Sequence, residues 1–392
     1  MVYIILILVV AFFAYSNRAN ESDELSKPVH CSMVKNIFLG ILTFMMMMQA
    51  KGQQDSIAVK PVISVLPLVY YTPETSWSFG AGAVGNFKLG NPALETYESQ
   101  LVVGTAYTLL DQFLAYSSWR VFTEENKNLF AGEIGWYRYV FFFYGLGNQV
   151  QESDREQYDA ALPRLRFDYL RKVRAHFYLG LRYHFDEFNI TTVEENGLLA
   201  NGNFLGSEGG RISGFGPMAY YDSRDSQLYP TRGIFGEASF QTFNRALGSD
   251  FHYSRWLMDF RSVHAINSKS VFVWNAYSEV LVGETPFFAL PLVGGNRLLR
   301  GLFEGKFRDQ NLALLQAEYR YKFLSRWGAV VFSGVGNVFS KENSFQFNQS
   351  KLTYGIGGRF QLSKREKLNL RLDLAHAPGE DFRIYLTFGE AF

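Results

Sequence analysis

In the stretch KLNLRLDLA, Leu368, Leu370, Leu372 and Leu374 alternate with Lys367, Asn369, Arg371 and Asp373. Successive side chains of a β-strand point to opposite faces, so one face here is wholly leucine and the other is charged or amide. The pattern recurs. Leu352, Tyr354, Ile356, Phe360 and Leu362 oppose Thr353, Arg359 and Gln361, and Phe177, Leu179, Leu181, Tyr183 and Phe185 oppose His176, Arg182 and His184. Strands of this kind suit a closed barrel with lipid outside and a polar lumen. They also suit a sandwich whose apolar faces pack together while the charges meet water. Alternation alone leaves both arrangements open.

Connection lengths favour the barrel. Sixteen segments read as strands, near 61–71, 76–88, 98–108, 111–122, 127–139, 157–171, 173–187, 211–223, 231–243, 252–266, 270–284, 309–323, 328–339, 351–362, 366–376 and 381–392. Connections after even-numbered strands are mostly tight (RKV, NSK, LSRW, SKRE), whereas 140–156, 188–210 and 285–308 follow odd-numbered ones. Short turns at one rim and long loops at the other mark outer-membrane barrels. The expected fold is all-β: a transmembrane antiparallel β-barrel of 16 strands, with a long loop between strands 11 and 12. The closing FRIYLTFGEAF carries Ile384, Leu386, Phe388 and Phe392 on one face, as a terminal aromatic strand of such a barrel would.

Composition agrees. Aromatic residues make up 17% of the chain and charged residues only 19%, a mixture for strands with aromatic surfaces. A net charge of +1 supplies no field for holding nucleic acid, so no nucleic-acid partner is expected. The single cysteine, Cys31, precedes everything that reads as folded, which excludes disulfides from the body.

The amino terminus reads as leader. From Met33, a lysine at 35, an apolar run from Ile37 to Met48 and small residues at Ala50 and Gly52 follow signal-peptide grammar, with cleavage expected near Gly52. Residues 1–52 are therefore assigned to an extension plus signal peptide, and 53–392 to the barrel domain. The earlier run VYIILILVVAFFAY is short for a membrane span, and PVH before Cys31 is not a lipobox.

Chemical motifs are sparse. GAGAVG at 80–85 matches a dinucleotide fingerprint in letters, but it lies inside an alternating strand rather than between a strand and a helix. Glycines 334, 336, 355, 357 and 358 read as places where the lumen wall is thinned for another segment. Histidines 176, 184, 252, 264 and 376 lack metal spacing and read as lumen-lining polar residues. No serine, histidine and acid grouping stands out. Neither enzymatic activity nor a cofactor or metal is expected.

Five stretches carry a family resemblance. GGNRLLRGLFEG at 294–305, LQAEYRYKF at 315–323 and FSGVGNVF at 332–339 resemble the outer-membrane assembly-factor superfamily that includes BamA and TamA. DSRDSQLYPTRG at 222–233 is similar to that family's DxRDxxxxPxxG turn, and FYGLGN at 143–148 is also similar. The resemblance implies that the loop after strand 11 folds inward, with its Arg-Gly tip held by acids on the next two strands. Arg300 and Gly301 hold the matching positions, and Glu318 falls on the polar face of strand 12 with Gln316, Arg320 and Lys322. A guanidinium suits this role because it stays charged and can grip carboxylates through parallel hydrogen bonds. Arg297, three residues earlier, is expected to point elsewhere.

Two departures stand out. The family pattern FxDxG becomes Phe332-Ser333-Gly334-Val335-Gly336, which removes the second acid and leaves Glu318 as the expected sole partner of Arg300. The few residues between leader and first strand leave no room for POTRA domains, so a bare barrel is expected. The first strand, PVISVLPLVYY, contains Pro61 and Pro67, neither of which can donate a ladder hydrogen bond. With Phe392 on the last strand, these prolines mark the expected seam. The resemblance implies insertion or translocation of protein or lipid at the outer membrane, with outer-membrane lipid, unfolded outer-membrane proteins or other assembly components as partners. A passive pore plugged by its loop is the alternative.

Overall fold

The computed structural model describes residues 61–90, 96–201, 204–363 and 367–392; the expected leader, cleavage point and domain start at 53 lie outside them. The barrel strands are β1 (Val62–Thr72), β2 (Ser76–Phe87), β3 (Ser99–Thr108), β4 (Phe113–Phe122), β5 (Asn128–Phe143), β6 (Glu156–Arg174), β7 (Phe177–Val193) and β8 (Gly210–Asp222). They continue as β9 (Gly233–Phe243), β10 (Tyr253–Ala265), β11 (Ser270–Gly283), β12 (Asn311–Lys322), β13 (Trp327–Phe339), β14 (Lys351–Ser363), β15 (Leu368–His376) and β16 (Arg383–Phe388). Each pairs antiparallel with its neighbour in sequence, and β16 returns to β1 to close the barrel. Within the connection from β11 to β12, Leu292–Val293 and Phe307–Arg308 form a small separate ribbon.

Burial decides between barrel and sandwich. In β15, Leu372 is 52% exposed while Arg371 and Asp373 are 2% and 0% exposed. Outward residues elsewhere, among them Ile63, Val65, Leu179, Trp256, Met258, Phe272, Leu315, Val331 and Ile356, form an apolar band around the sheet. The charges face in and the apolar chains face out, the reverse of a soluble core and the arrangement lipid requires. GAGAVG lies within β2. Of the five histidines, only His184 faces the lumen: His176 and His252 lie in connections, and His264 and His376 fall on the outward register.

β5, β6 and β7 run 16, 19 and 17 residues, beyond the roughly 9–11 that a bilayer needs, and rise past the membrane on the long-loop side. Their upper ends carry an aromatic cap in which Phe143, Tyr158 and Phe188 pack against Phe287 and Phe288 of the loop after β11.

The seam differs from the sequence expectation. β1 pairs with β2 at eleven positions but with β16 at one, Tyr71 with Leu386. Pro61 precedes β1, and only Pro67 lies within it. Phe392 is not on the seam. β16 ends at Phe388, Gly389 turns the chain at φ 78°, and Phe392 is buried across the lumen with Val263, Val271 and Val273 of β10 and β11. Alternation predicts a straight strand to the end; glycine with a positive φ breaks it.

Candidate functional site

The loop joining β11 to β12 descends into the lumen, and Arg300 at its tip is 1% exposed. Its Nη2 lies 2.5 Å from Glu318 Oε2 on β12, and its Nη1 lies 2.6 Å from Asp373 Oδ2 on β15. The loop is therefore not held by Glu318 alone. A second carboxylate comes from β15 instead of β13, and it was visible in the sequence as the last charge on the polar face of KLNLRLDLA. The Phe332 ring of β13 lies under the guanidinium, 3.5 Å from its central carbon, adding a cation–π contact.

These groups belong to a wider network. Arg320 Nε is 2.7 Å from Glu318 Oε1, and Arg359 Nη1 is 2.6 Å from Asp373 Oδ1. Arg359 Nε reaches Glu390 Oε2 at 2.8 Å, and Arg371 Nε lies 3.4 Å from Asp373 Oδ2. Arg300, Arg320, Arg359 and Arg371 thus share Glu318, Asp373 and Glu390. Asn369 Nδ2 also donates to Glu390 at 2.7 Å, and Arg320 Nη2 donates to a main-chain oxygen of Phe392 at 3.0 Å. The same network holds both the loop tip and the inward-turned end of the chain.

Backbone shape lets the tip fit. Gly301 sits at φ 112°, and a Cβ there would meet the His376 main chain at 3.0 Å, so close approach requires glycine. The Gly301 N–H donates to Tyr385 Oη at 3.1 Å, joining the tip to the seam strand β16. Leu299 is fully buried at φ 62°, a left-handed conformation costing a leucine about 1–2 kcal/mol. Its packing compensates: a Cβ at Gly334 would stand 2.5 Å from Leu299 Cδ2, and one at Gly336 2.6 Å from Leu299 Cδ1. The glycine in place of the family acid therefore makes a socket for Leu299. Gly358, by contrast, has nothing within 4 Å and thins no contact. Gly334→Val should displace the tip by an overpacking cost of about 1–3 kcal/mol, read as faster protease cleavage within 294–308, while Gly358→Val should leave cleavage unchanged.

The remaining motifs brace this arrangement. The Gly147 N–H donates to the Arg308 carbonyl oxygen at 2.8 Å, and Asn148 Nδ2 donates to Asn337 Oδ1 at 2.7 Å, tying FYGLGN to the loop base and β13. In the turn between β8 and β9, Asp225 accepts from the Thr231 N–H at 2.8 Å and the Thr231 hydroxyl at 2.6 Å. Arg297 has no ion pair among the described residues; its carbonyl oxygen accepts from Gln316 Nε2 at 2.9 Å.

Higher in the loop, the Glu304 N–H donates to Glu74 Oε1 in the turn between β1 and β2 at 3.1 Å. The Glu304 carboxyl keeps contact with water, yet the lumen wall encloses it and Glu74 stands alongside. Enclosure first, and the Glu74 charge second, push it up to about 7. A carboxyl raised in the folded state favours the docked loop below its unfolded value, near 4.3, and that contribution is lost as pH rises through 7. Proteolysis of the loop should therefore quicken between about pH 6 and 8, and Glu304→Gln should flatten the profile.

A closed sixteen-strand sheet with an apolar outer band and a charged, loop-filled lumen defines an outer-membrane β-barrel of a Gram-negative cell. The Omp85 superfamily domain matches residues 133–392, and the chain belongs to that superfamily. In fold it is similar to BamA from Haemophilus ducreyi lacking POTRA domains 1–3, with a TM-score of 0.56 and 16% identity over 84% of this chain and 70% of that one. It is also similar to CdiB from Acinetobacter baumannii (TM-score 0.56, 11% identity, 84% of this chain and 59% of that one). CdiB from Escherichia coli gives 0.55 and 10% identity over 85% and 64%. No curated protein matches the chain by sequence.

Proposed function

We propose that the protein inserts or translocates polypeptide at the outer membrane through the junction of β1 and β16, with the Arg300 loop acting as a lock on that junction. The observation that carries this reading is the seam: one paired position against eleven between β1 and β2. Strand edges left unpaired in lipid are costly, and an incoming strand can satisfy them. Arg300, Gly301 and Glu318 form the lock, with Asp373 and Tyr385 as further members. Pro67 weakens the seam, and Phe392 acts from within the lumen. Outer-membrane lipid surrounds the barrel, and unfolded outer-membrane proteins or other assembly components are the proposed partners. A passive pore is the weaker reading, because the loop tip and the chain end both occupy the lumen.

Tyr71→Cys with Leu386→Cys tests the proposal, since facing residues of an antiparallel pair lie within disulfide reach. A deletion strain should show altered outer-membrane protein levels that the wild-type gene restores and the oxidised pair does not, until reductant is added. Full restoration by the oxidised pair would overturn gating. Steady conductance with unchanged outer-membrane protein levels would support the pore.

A further inference from the structure

At the short-turn rim, opposite the aromatic cap, lies a cavity of about 500 Å³. Four connections build it: the turn from β8 to β9 supplies Tyr229 and Thr231, that from β10 to β11 Ser268 and Lys269, that from β12 to β13 Ser325, and the end of the connection into β15 Lys367. Lys322 and Gln361 complete the wall from the ends of β12 and β14. Three ammonium groups line this space, and no carboxylate does so among the described residues. The nearest counter-charge is Asp225, 3.6 Å from Lys367. Lys322 Nζ finds only the Gln361 amide oxygen, at 3.4 Å, and Lys269 has no ion-pair partner among the described residues. The contrast with the neighbouring Arg300 network is chemical: there each guanidinium meets a carboxylate, whereas here Lys269 and Lys322 have no ion-pair partner among the described residues and Lys367 has one distant one.

We infer that this cavity binds a phosphate group, either the free anion or one carried by a lipid headgroup that reaches round the rim. Lysine acts toward phosphate as a compact point charge, and the hydroxyls of Tyr229, Ser268 and Ser325 with the Gln361 amide provide short donors around it. The volume lies within the usual range for a small-ligand site, with room for more than the bare anion. Lys322 and Gln361 lie on the lumen-facing register of β12 and β14, so the cavity opens at the lumen mouth, inside the wall whose outer face carries Tyr321, Phe323, Leu324 and Trp327. Hexaglutamate tests an acidic peptide as the other occupant.

The test uses the purified full chain in detergent, with phosphatidylglycerol, phosphatidylcholine, inorganic phosphate and hexaglutamate as separate probes and native mass spectrometry as readout. Phosphatidylglycerol should be retained over phosphatidylcholine and displaced by inorganic phosphate. Lys269→Gln, Lys322→Gln and Lys367→Gln should each weaken retention roughly five-fold, and the three together about a hundred-fold. The three lysine-to-arginine changes should preserve it, and Lys341→Gln at the opposite rim should have no effect. Heat-modifiable gel mobility verifies that each variant is folded. Tighter binding of phosphatidylglycerol than of inorganic phosphate supports the lipid headgroup as source, whereas equal binding supports a phosphate site for the free anion. Undiminished retention in the folded triple glutamine variant overturns the site, as does hexaglutamate binding that phosphate does not displace.

Discussion

Replacing Glu318 by alanine should free the loop further than replacing Arg300 does. Around the tip, four guanidiniums share three side-chain carboxylates. Arg300→Ala removes two short charge-assisted bonds but leaves three cations facing three anions, so the remaining network stays balanced. The loss falls on loop docking, at about 3 kcal/mol, the lower end for two bonds to charged groups. Glu318→Ala instead leaves Arg300 and Arg320 buried with less counter-charge, the situation in which breaking a buried pair costs roughly 3–5 kcal/mol. Protease cleavage within 294–308 should rise in both variants, and more in Glu318→Ala. Arg300→Ala added to Glu318→Ala should partly relieve the excess charge, so the double variant should be milder than the sum of the two. Arg297→Ala should change nothing in this assay. Full additivity, or a loop freed by Arg297→Ala alone, would show that the pairing does not hold the loop.

Freeing the end of the chain should lengthen the seam. Continuing the register from Tyr71 and Leu386 would set Phe388 opposite Val69 and Glu390 opposite Pro67. Two obstacles prevent it: Arg359 and Asn369 draw Glu390 inward, and Pro67 has no N–H to offer. In a background of Glu390→Ala with Pro67→Val, cysteines at 69 and 388 should cross-link faster than in the wild-type background by roughly ten-fold or more, the scale set by losing two bonds to a charged group. Glu390→Ala should also loosen the loop, since it leaves four guanidiniums with two carboxylates. Unchanged cross-linking would mean that neither Pro67 nor Glu390 limits the seam.

What could be read beforehand followed from period. Alternation placed every barrel strand, because each outward residue must suit lipid whatever its neighbours are, and that demand is written locally. Most boundaries fell within a few residues. The exceptions were β5 to β7, where runs such as VFFFYG carry the strand past the bilayer into the cap, and β16, which stops at Phe388. Arg300, Gly301 and Glu318 were legible because a motif singles them out. Asp373 was seen as a lumen charge but not as a partner, since 73 residues separate it from Arg300 and only closure of the sheet brings them together. The purpose of Gly334 was hidden for the same reason: Leu299 defines its socket, and nothing in local spacing links the two. Phe392 was misplaced because alternation runs through 384, 386 and 388, and Gly389 is the one residue that announces a turn.

The grip on Arg300 also bears on the order in which the molecule takes shape. Glu318 is 18 and Asp373 is 73 residues from Arg300, and Tyr385 is 84 from Gly301, all on the C-terminal side of the loop. Closing a short chain segment is entropically cheaper than closing a long one, so the pairing with Glu318 can form as soon as β11 and β12 meet. Asp373 and Tyr385 then fasten the tip as β15 and β16 arrive. β11 to β16 can therefore consolidate around the tip as one cooperative unit before β1 is met. The meeting of β1 with β16 spans the longest separation of any strand pair in the barrel and is secured at one position, so loop-closure entropy sets it as the join expected to form last.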